Sequence, residues 1–404
     1  MPEFDRRPIK KPDGQNGFST GGGKSLRGQR ALTRRKENLA VSILRGLFPW
    51  KGDEAADIVR KIIFLGSLTL IIWSAVLITD HFVLRPARLE QERMETINLK
   101  KGYDGDEFYA VPGWELKSGN NDDSREVTVI GEYMEIYEAN NDFVGWLEIY
   151  PMIQYPVYQH AWFDEHGRWV GDNEYYLNHN GAHRPTANGT VFADWEGQFT
   201  PYERPHNTII YGHNLSTKNL FQPLTMYRPN HVSGVDSFEF LKNNPTIEFD
   251  TLYERGHYKI FAVFQSNVRS HQGEVFDYWN YVYFNSKSHF DNFVADILDR
   301  SYYYTNIDLQ YGDELLLLST CDFSIFSNGA DSSVRLVVAA RRVRDNEFVG
   351  FTEAEIDAFI DNRGINDDRQ IKRRMFEEYY RVVYPNGWAG RNWNKDYIKD
   401  FEGY

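Results

Sequence analysis

One cysteine, Cys321, stands in 404 residues, so the chain forms no intrachain disulfide and no zinc or iron–sulfur site built from several thiolates. If it is secreted, its fold stands without covalent staples. An excess of positive charge is also missing. The formal balance is 45 basic against 58 acidic side chains, net −13, which excludes a general nucleic-acid binder because phosphate binding needs a basic surface. Internal repeats are absent, and so is an EF-hand pattern, so neither a metal nor a cofactor is expected. Apolar residues make up 41 % of the chain and aromatics 16 %. That is enough to bury a sizeable core and excludes a wholly disordered protein.

Charge and hydropathy are unevenly spread. Residues 1–61 carry fourteen Lys/Arg against seven Asp/Glu, net +7, which leaves −20 for the rest. The first thirty are rich in Gly, Lys and Arg and read as disordered. Arg34, Arg35 and Lys36 lead into a weakly amphipathic stretch, 39–50, suited to a membrane surface. Residues 62–79 (IIFLGSLTLIIWSAVLIT) then run for eighteen positions without a charge, and Val83 and Leu84 extend the run. At about 1.5 Å per residue this is near the lower limit for crossing a hydrocarbon core of roughly 30 Å. A cleaved signal peptide does not begin sixty residues in, and no small-residue cleavage pattern follows. Lys51, Arg60 and Lys61 crowd the N-terminal flank, so the positive-inside rule places the N-terminus in the cytoplasm and the bulk of a single-pass protein outside.

Beyond the span, 86–101 has the composition of a helical stalk, and 102–123, rich in Gly, Asp and Asn, reads as a linker. From about 127 to 344, short β-rich runs (TIIYG, YKIFAVFQ, YVYF, ELLLLST, VRLVVAARRV) alternate with turn residues, the pattern of a β-barrel or sandwich. Helical interruptions are expected at 134–140 and 288–301. The end of the chain turns helical, with a capping box at Thr352 and Glu355 and a second amphipathic helix over 370–383.

Cys321 ends an apolar strand, where Asp322, Ser324, Ser327 and Asn328 take over. A lone cysteine there is either a small buried hydrophobe or an exposed thiol at a strand end. His213 occupies an equivalent place at the end of the Ile209–Tyr211 run, and a nearby imidazole or cation lowers a thiol pKa enough to supply thiolate. Arg335 opens the strand that follows the cysteine loop. Its guanidinium is either a solvated strand-end charge or a fixed donor for a developing oxyanion.

The stretches LSTCD (318–322), NTIIYGHN (207–214) and VRLVV (334–338) resemble the cysteine, histidine and arginine motifs of the sortases, membrane-anchored cysteine transpeptidases of Gram-positive bacteria, with class B the nearest. NNDFVGWLEI (140–149), QYPVYQ (154–159), DNEYYLNH (172–179), GTVFADW (189–195) and NLFQPLTMY (219–227) agree in order and spacing, so the resemblance covers roughly 130–344. It implies a mostly-β fold with helices: an eight-stranded sortase barrel, preceded by a transmembrane helix and followed by a helical C-terminal tail. The division is then a basic cytoplasmic segment (1–55), the transmembrane helix (56–84), stalk and linker (85–127), the catalytic barrel (128–350) and the extension (351–404), which is expected to dock on the barrel.

The same resemblance makes Cys321 the nucleophile on a sorting signal, cutting a Thr–Gly or Thr–Asn-like bond to give a thioacyl enzyme. His213 becomes general acid and then base, and Arg335 the stabiliser of the tetrahedral intermediate. Asn173, Leu177, Tyr211, Ser319, Thr320 and Asp322 match positions lining the class B groove, and Tyr175 and Tyr176 are further candidates for its walls. The implied partners are secreted proteins carrying a sorting signal, an amine of a peptidoglycan precursor or cross-bridge, and the lipid bilayer through 62–84. The fourteen-residue interval from Cys321 to Arg335 sets how far the arginine reaches. A pilin-polymerising sortase would use a lysine amine, and such enzymes usually carry an Asp-Pro lid. Between 85 and 130 no Asp-Pro occurs, which favours wall anchoring. A cysteine protease, or a binding protein on the same fold, is the remaining alternative; the presence of Cys321, His213 and Arg335 together argues against the second.

Overall fold

A short amphipathic helix, α1 (Leu39–Leu47), precedes a 25-residue one, α2 (Ala55–Thr79), which contains the uncharged run. The computed structural model describes residues 39–100, 108–112, 126–229, 234–268, 275–323 and 334–362, and the chain falls into two compact units, Met1–Val76 and Leu77–Tyr404. Ile63, Leu70, Ile71, Trp73 and Ile78 of α2 are all exposed, so this helix is long and apolar enough to cross a membrane. Lys61, part of the basic flank, does not point outward. Its ammonium pairs with Asp53 at 2.7 Å and donates to the Arg45 carbonyl at 2.6 Å, bracing the turn between α1 and α2.

A π-helical turn, Asp80–Leu84, leads into α3 (Arg85–Lys100). The stalk is no free post. Leu89 is buried, Arg93 donates to Gln154, Glu92 accepts from Asn180, and Lys100 lies 4.8 Å over the Trp146 ring. The expected linker also holds structure: β1 (Phe108–Pro112) pairs antiparallel with β2 (Glu126–Ile130). A 3₁₀ turn and α4 (Met134–Ala139) follow at the first expected helical interruption.

The barrel begins with β3 (Phe143–Ile149) and β4 (Ile153–Tyr158), whose Leu147, Ile149, Ile153, Tyr155 and Val157 join the barrel core while Phe143, Trp146 and Tyr158 pack in a second buried cluster. A small ribbon, β5 (Ala161–Phe163) with β6 (Trp169–Gly171), precedes β7 (Phe192–Ala193) and β8 (Asn207–Tyr211). Asp236 caps α5 (Ser237–Asn243), then come β9 (Thr246–Thr251) and β10 (His257–Asn267). Eight strands close in the order β10-β13-β12-β8-β7-β4-β3-β9 once β12 (Leu315–Asp322) and β13 (Val334–Arg342) are added. Closure leaves the barrel no exposed strand edge. Leu147, Ile210, Val263, Leu316, Leu318, Leu336 and Val338 fill its interior.

Outside the wall lies α6 (Lys287–Arg300), started by the Ser286 side chain, which accepts from the His289 amide. Phe290, Phe293, Val294 and Ile297 recur at helical spacing and cover Phe261, Phe264, Leu317 and Val337 of the barrel's outer face. The YVYF run at 281–284 was expected as a strand, but it is not one. It is a loop that buries Val282 and Phe284 and exposes Tyr283; the Val282 carbonyl accepts from the Asn207 amide, and the two buried residues serve the seam between α6 and the barrel.

After the barrel, the capping box at Thr352 and Glu355 starts α7 (Glu353–Asp357), as the sequence predicts. The chain then adds β14 (Ile360–Asp361) to β11 (Tyr303–Tyr304), while Phe351, Ile356 and Phe359 pack on the core. The helix expected over 370–383, the thirty N-terminal residues, and Arg34, Arg35 and Lys36 lie outside the described residues.

Two measurements test how the barrel is held. Phe359→Ala should cost about 3 kcal/mol of unfolding free energy, because it empties a buried site between the extension and the core; a loss near zero would mean that the extension does not dock. At the end of β13, the buried Arg341 donates to Glu347 at 2.6 and 2.7 Å and Lys259 at 3.0 Å, holding this carboxylate down at about 2 instead of 4.5. A depressed carboxylate stabilises the fold fully above its unfolded value and ceases to do so as pH falls through the folded one. Glu347→Gln should therefore lower Tm at neutral pH, with the difference shrinking between about pH 4.5 and 2. A constant difference across that range would dismiss the ion pair as its source.

Candidate active site

Strand alternation decides which side chains meet. On β12, Leu316 and Leu318 point into the barrel and Leu315 and Leu317 point outward; on β13, Leu336 and Val338 point in and Val337 and Ala339 out. Continuing the count puts Ser319, Cys321 and Arg335 on the outer face. Cys321 and Arg335 are direct partners across the antiparallel ladder, so their side chains leave the same side of the same rung. The Cys321 thiol is partly exposed.

His213 reaches them from the other flank. β8 runs parallel to β12, with Tyr211 opposite Ser319, and the chain past Tyr211 stays stitched to β12. The Gly212 amide donates to the Ser319 carbonyl at 3.2 Å, Thr320 Oγ1 donates to the Gly212 carbonyl at 2.7 Å, and Asn214 Nδ2 donates to the Cys321 carbonyl at 2.8 Å. The turn requires glycine at 212, because a Cβ there would lie 2.6 Å from the Phe221 ring. His213 Nε2 lies 3.0 Å from the Leu177 carbonyl. A carbonyl only accepts, so Nε2 carries the proton and Nδ1 is the nitrogen left for proton transfer.

The Leu177 carbonyl is itself well held. It ends the 3₁₀ turn Tyr175–Leu177, where Tyr176, 1 % exposed, donates to Asp142 at 2.7 Å. Tyr176 is therefore part of the core and not a groove wall. Tyr175 is partly exposed, stacked between the rings of His160 and His179 with centroids 3.9 and 4.2 Å away.

Two groups beside the site had no signal in the sequence. Asp194 is buried and accepts from Tyr211 Oη at 2.8 Å and Asn173 Nδ2 at 2.9 Å, tying together two expected groove residues. Burial pushes its carboxyl up, against the hydrogen bonds it receives. Tyr278 Oη lies 2.7 Å from Ser319 Oγ; burial pushes this phenol up to about 12, against the Ser319 hydrogen bond and the charge of Arg335. Among the described residues, no cluster of three or more His, Cys, Asp or Glu is placed to hold a metal.

Against known proteins, no family model matches the chain. It is 28 % identical over 192 residues to sortase B of Listeria monocytogenes, 47 % of this chain and 67 % of the relative. It is 22 % identical over 216 residues to sortase B of Staphylococcus aureus, 53 % of this chain and 75 % of the relative. These relatives support a class B sortase. In fold it is similar to sortase B from B. anthracis (TM-score 0.48, 22 % identity, 64 % of this chain and 97 % of that one) and to a Staphylococcus aureus sortase B–substrate complex (TM-score 0.45, 20 % identity, 63 % and 97 %).

The barrel wall carries Cys321 on β12, Arg335 on its neighbour β13 and His213 in the turn after β8 on the other side of β12. Asn173, Leu177 and Tyr211 stand beside them, half-buried. Three expected groove residues do not line an open groove. Ser319, Thr320 and Asp322 are 1, 2 and 1 % exposed. Thr320 and Asp322 point into the barrel by strand alternation, and Ser319, although outward, is covered by Tyr278. They support the site from beneath. Tyr278→Phe should lower stability by about 1 to 2 kcal/mol in chemical denaturation, since it strips the partner from a buried hydroxyl. Adding Ser319→Ala should then cost less than it does alone; strictly additive losses would deny the pair.

Proposed function

We propose that this sortase cleaves the C-terminal sorting signal of secreted proteins and transfers the acyl part to an amine of the cell-wall peptide. A sortase transpeptidase in general is what the curated relatives support; the residue roles below are our reading. What carries it is one arrangement: Cys321 and Arg335 share a rung, and the turn bearing His213 is hydrogen-bonded to the Cys321 backbone.

Cys321, its proton passed to His213 Nδ1, attacks the scissile carbonyl carbon as thiolate, and Arg335 holds the oxyanion of the tetrahedral adduct with its planar donors. Collapse breaks the C–N bond; the leaving amine takes a proton from His213 Nδ1, while Nε2–H remains on the Leu177 carbonyl. An incoming amine gives its proton back to Nδ1 and attacks the thioester, forming the new amide and releasing the thiolate. Asn173, Leu177 and Tyr211 shape the groove for the signal peptide. The long apolar helix anchors the enzyme as a single span, N-terminus cytoplasmic and barrel outside, next to substrates leaving the cell.

The full chain in detergent, incubated with a panel of fluorogenic sorting peptides with and without an amine, tests this. Cleavage diverted to an amide product, reduced at least about a thousandfold in Cys321→Ala and unchanged by chelator, is expected. Cleavage that never yields the amide product would make the chain a protease. No cleavage, together with a Cys321 inert to alkylation, would leave a binding protein on a sortase fold.

A further inference from the structure

The nucleophile's strand ends almost at the nucleophile. The last rung of the β12–β13 ladder is Asp322 with Val334, one residue past Cys321, and strand ends fray unless something holds them. Here the holding group is inside the barrel. Alternation turns the Asp322 carboxylate inward, where it is 1 % exposed. A carboxylate so buried is strongly unfavourable without partners.

The partners come from three separate elements. Gln265 of β10 donates Nε2 to Asp322 Oδ2 at 2.5 Å, and Gln265 Oε1 accepts from the Tyr302 hydroxyl. Arg228, 7 % exposed, brings Nε to 3.3 Å from the same Oδ2. Its position is set by the residue before it, because Tyr227 is fully buried and donates its hydroxyl to the Asn244 carbonyl at 2.7 Å. Arg228 also donates its amide to the Thr225 carbonyl at 3.2 Å, closing the 3₁₀ turn Gln222–Tyr227. The residue bonded to Cys321 therefore faces a buried cation from a different part of the chain at ion-pair distance, while the Cys321 carbonyl accepts from Asn214.

We propose that Arg228 is a positioning residue for Cys321, acting through Asp322. This inference rests on the transpeptidase reading of the site. The pair sets where along the barrel rim the thiol stands relative to His213 and Arg335. A displacement of about 1 Å from reacting geometry costs on the order of a hundredfold in rate. Arg228 touches no reacting atom and lies on the opposite side of the wall from the thiol, so its removal acts on chemistry more than on peptide binding.

The test uses the full chain with Arg228→Met, Arg228→Lys and the double variant Arg228→Met/Asp322→Leu, which replaces the buried pair by apolar side chains. Arg228→Met should lower kcat about ten- to a hundredfold with KM within about twofold of wild type. It should also raise the pH at which Cys321, the chain's one cysteine, becomes reactive to iodoacetamide, as the thiol leaves its cationic neighbours. Arg228→Lys keeps the charge and should recover most of both losses. The double variant should regain thermal stability without regaining kcat.

Wild-type kcat and alkylation profile in a folded Arg228→Met would overturn the proposal. So would a double variant whose kcat returns together with its stability, because the pair would then be structural only. Should Arg228→Met fail to fold, the Lys and double variants decide on the same criteria. The two readings fail separately: a wild-type chain that cleaves no sorting peptide and whose Cys321 is inert to alkylation fails the transpeptidase reading, whereas wild-type cleavage that Arg228→Met leaves unchanged fails this inference alone.

Discussion

The parallel pairing of β8 with β12 is the contact on which the site depends. Thr320 and Gly212 are 108 residues apart in the chain and bonded at 2.7 Å in the barrel. Parallel neighbours need a long crossover, and the crossover here carries α5, β9, β10 and α6 around the barrel before β12 returns beside β8. Without that return, His213 and Cys321 are two strand ends with nothing in common. With it, Gly212 and Asn214 in the turn after β8 share three hydrogen bonds with Ser319, Thr320 and Cys321 at the end of β12.

Polar groups anchor this seam from both sides of the wall. Inside, Arg228 and Gln265 meet Asp322; outside, Tyr278 meets Ser319, and Asp194 gathers Tyr211 and Asn173. Arg228, Gln265, Asp322, Tyr278, Ser319 and Asp194 are buried residues whose polar groups would be costly alone, and Tyr211 and Asn173 are half-buried. The consequence is stiffness where a thiol must keep its distance from an imidazole and a guanidinium. Asp194 differs from Asp322 in kind: the side chains that donate to it, Tyr211 and Asn173, are neutral, whereas Asp322 faces a cation.

Much of this was legible in the sequence, because the signals were local. The eighteen-residue uncharged run, the strand before Cys321, the Thr352–Glu355 capping box and the order of the sortase-like segments all appear as spacing and composition. The misreadings have one cause. YVYF has the residues of a strand, but its backbone is spent on β8 and the α6 seam, so it pairs with no sheet. The 102–123 stretch has the residues of a linker and still pairs β1 with β2. Thr320 and Asp322 sit in the right segment and point into the barrel, since parity along a strand depends on which face the barrel closes around, while Ser319 faces out beneath Tyr278 and Tyr176 is buried in its 3₁₀ turn.

By itself the sequence determined that one apolar helix precedes a β-rich domain, that a single thiol ends one strand, and that a histidine and an arginine end or begin two others. These follow from periodicity and from the chemistry of single residues. Tertiary structure alone decided that Cys321 and Arg335 share a rung, that His213 presents Nδ1 because Leu177 takes Nε2–H, and that Arg228, Tyr278 and Asp194 stand behind them. Those facts depend on register and closure, which bring together residues a hundred positions apart, and no local pattern encodes a distance of that kind.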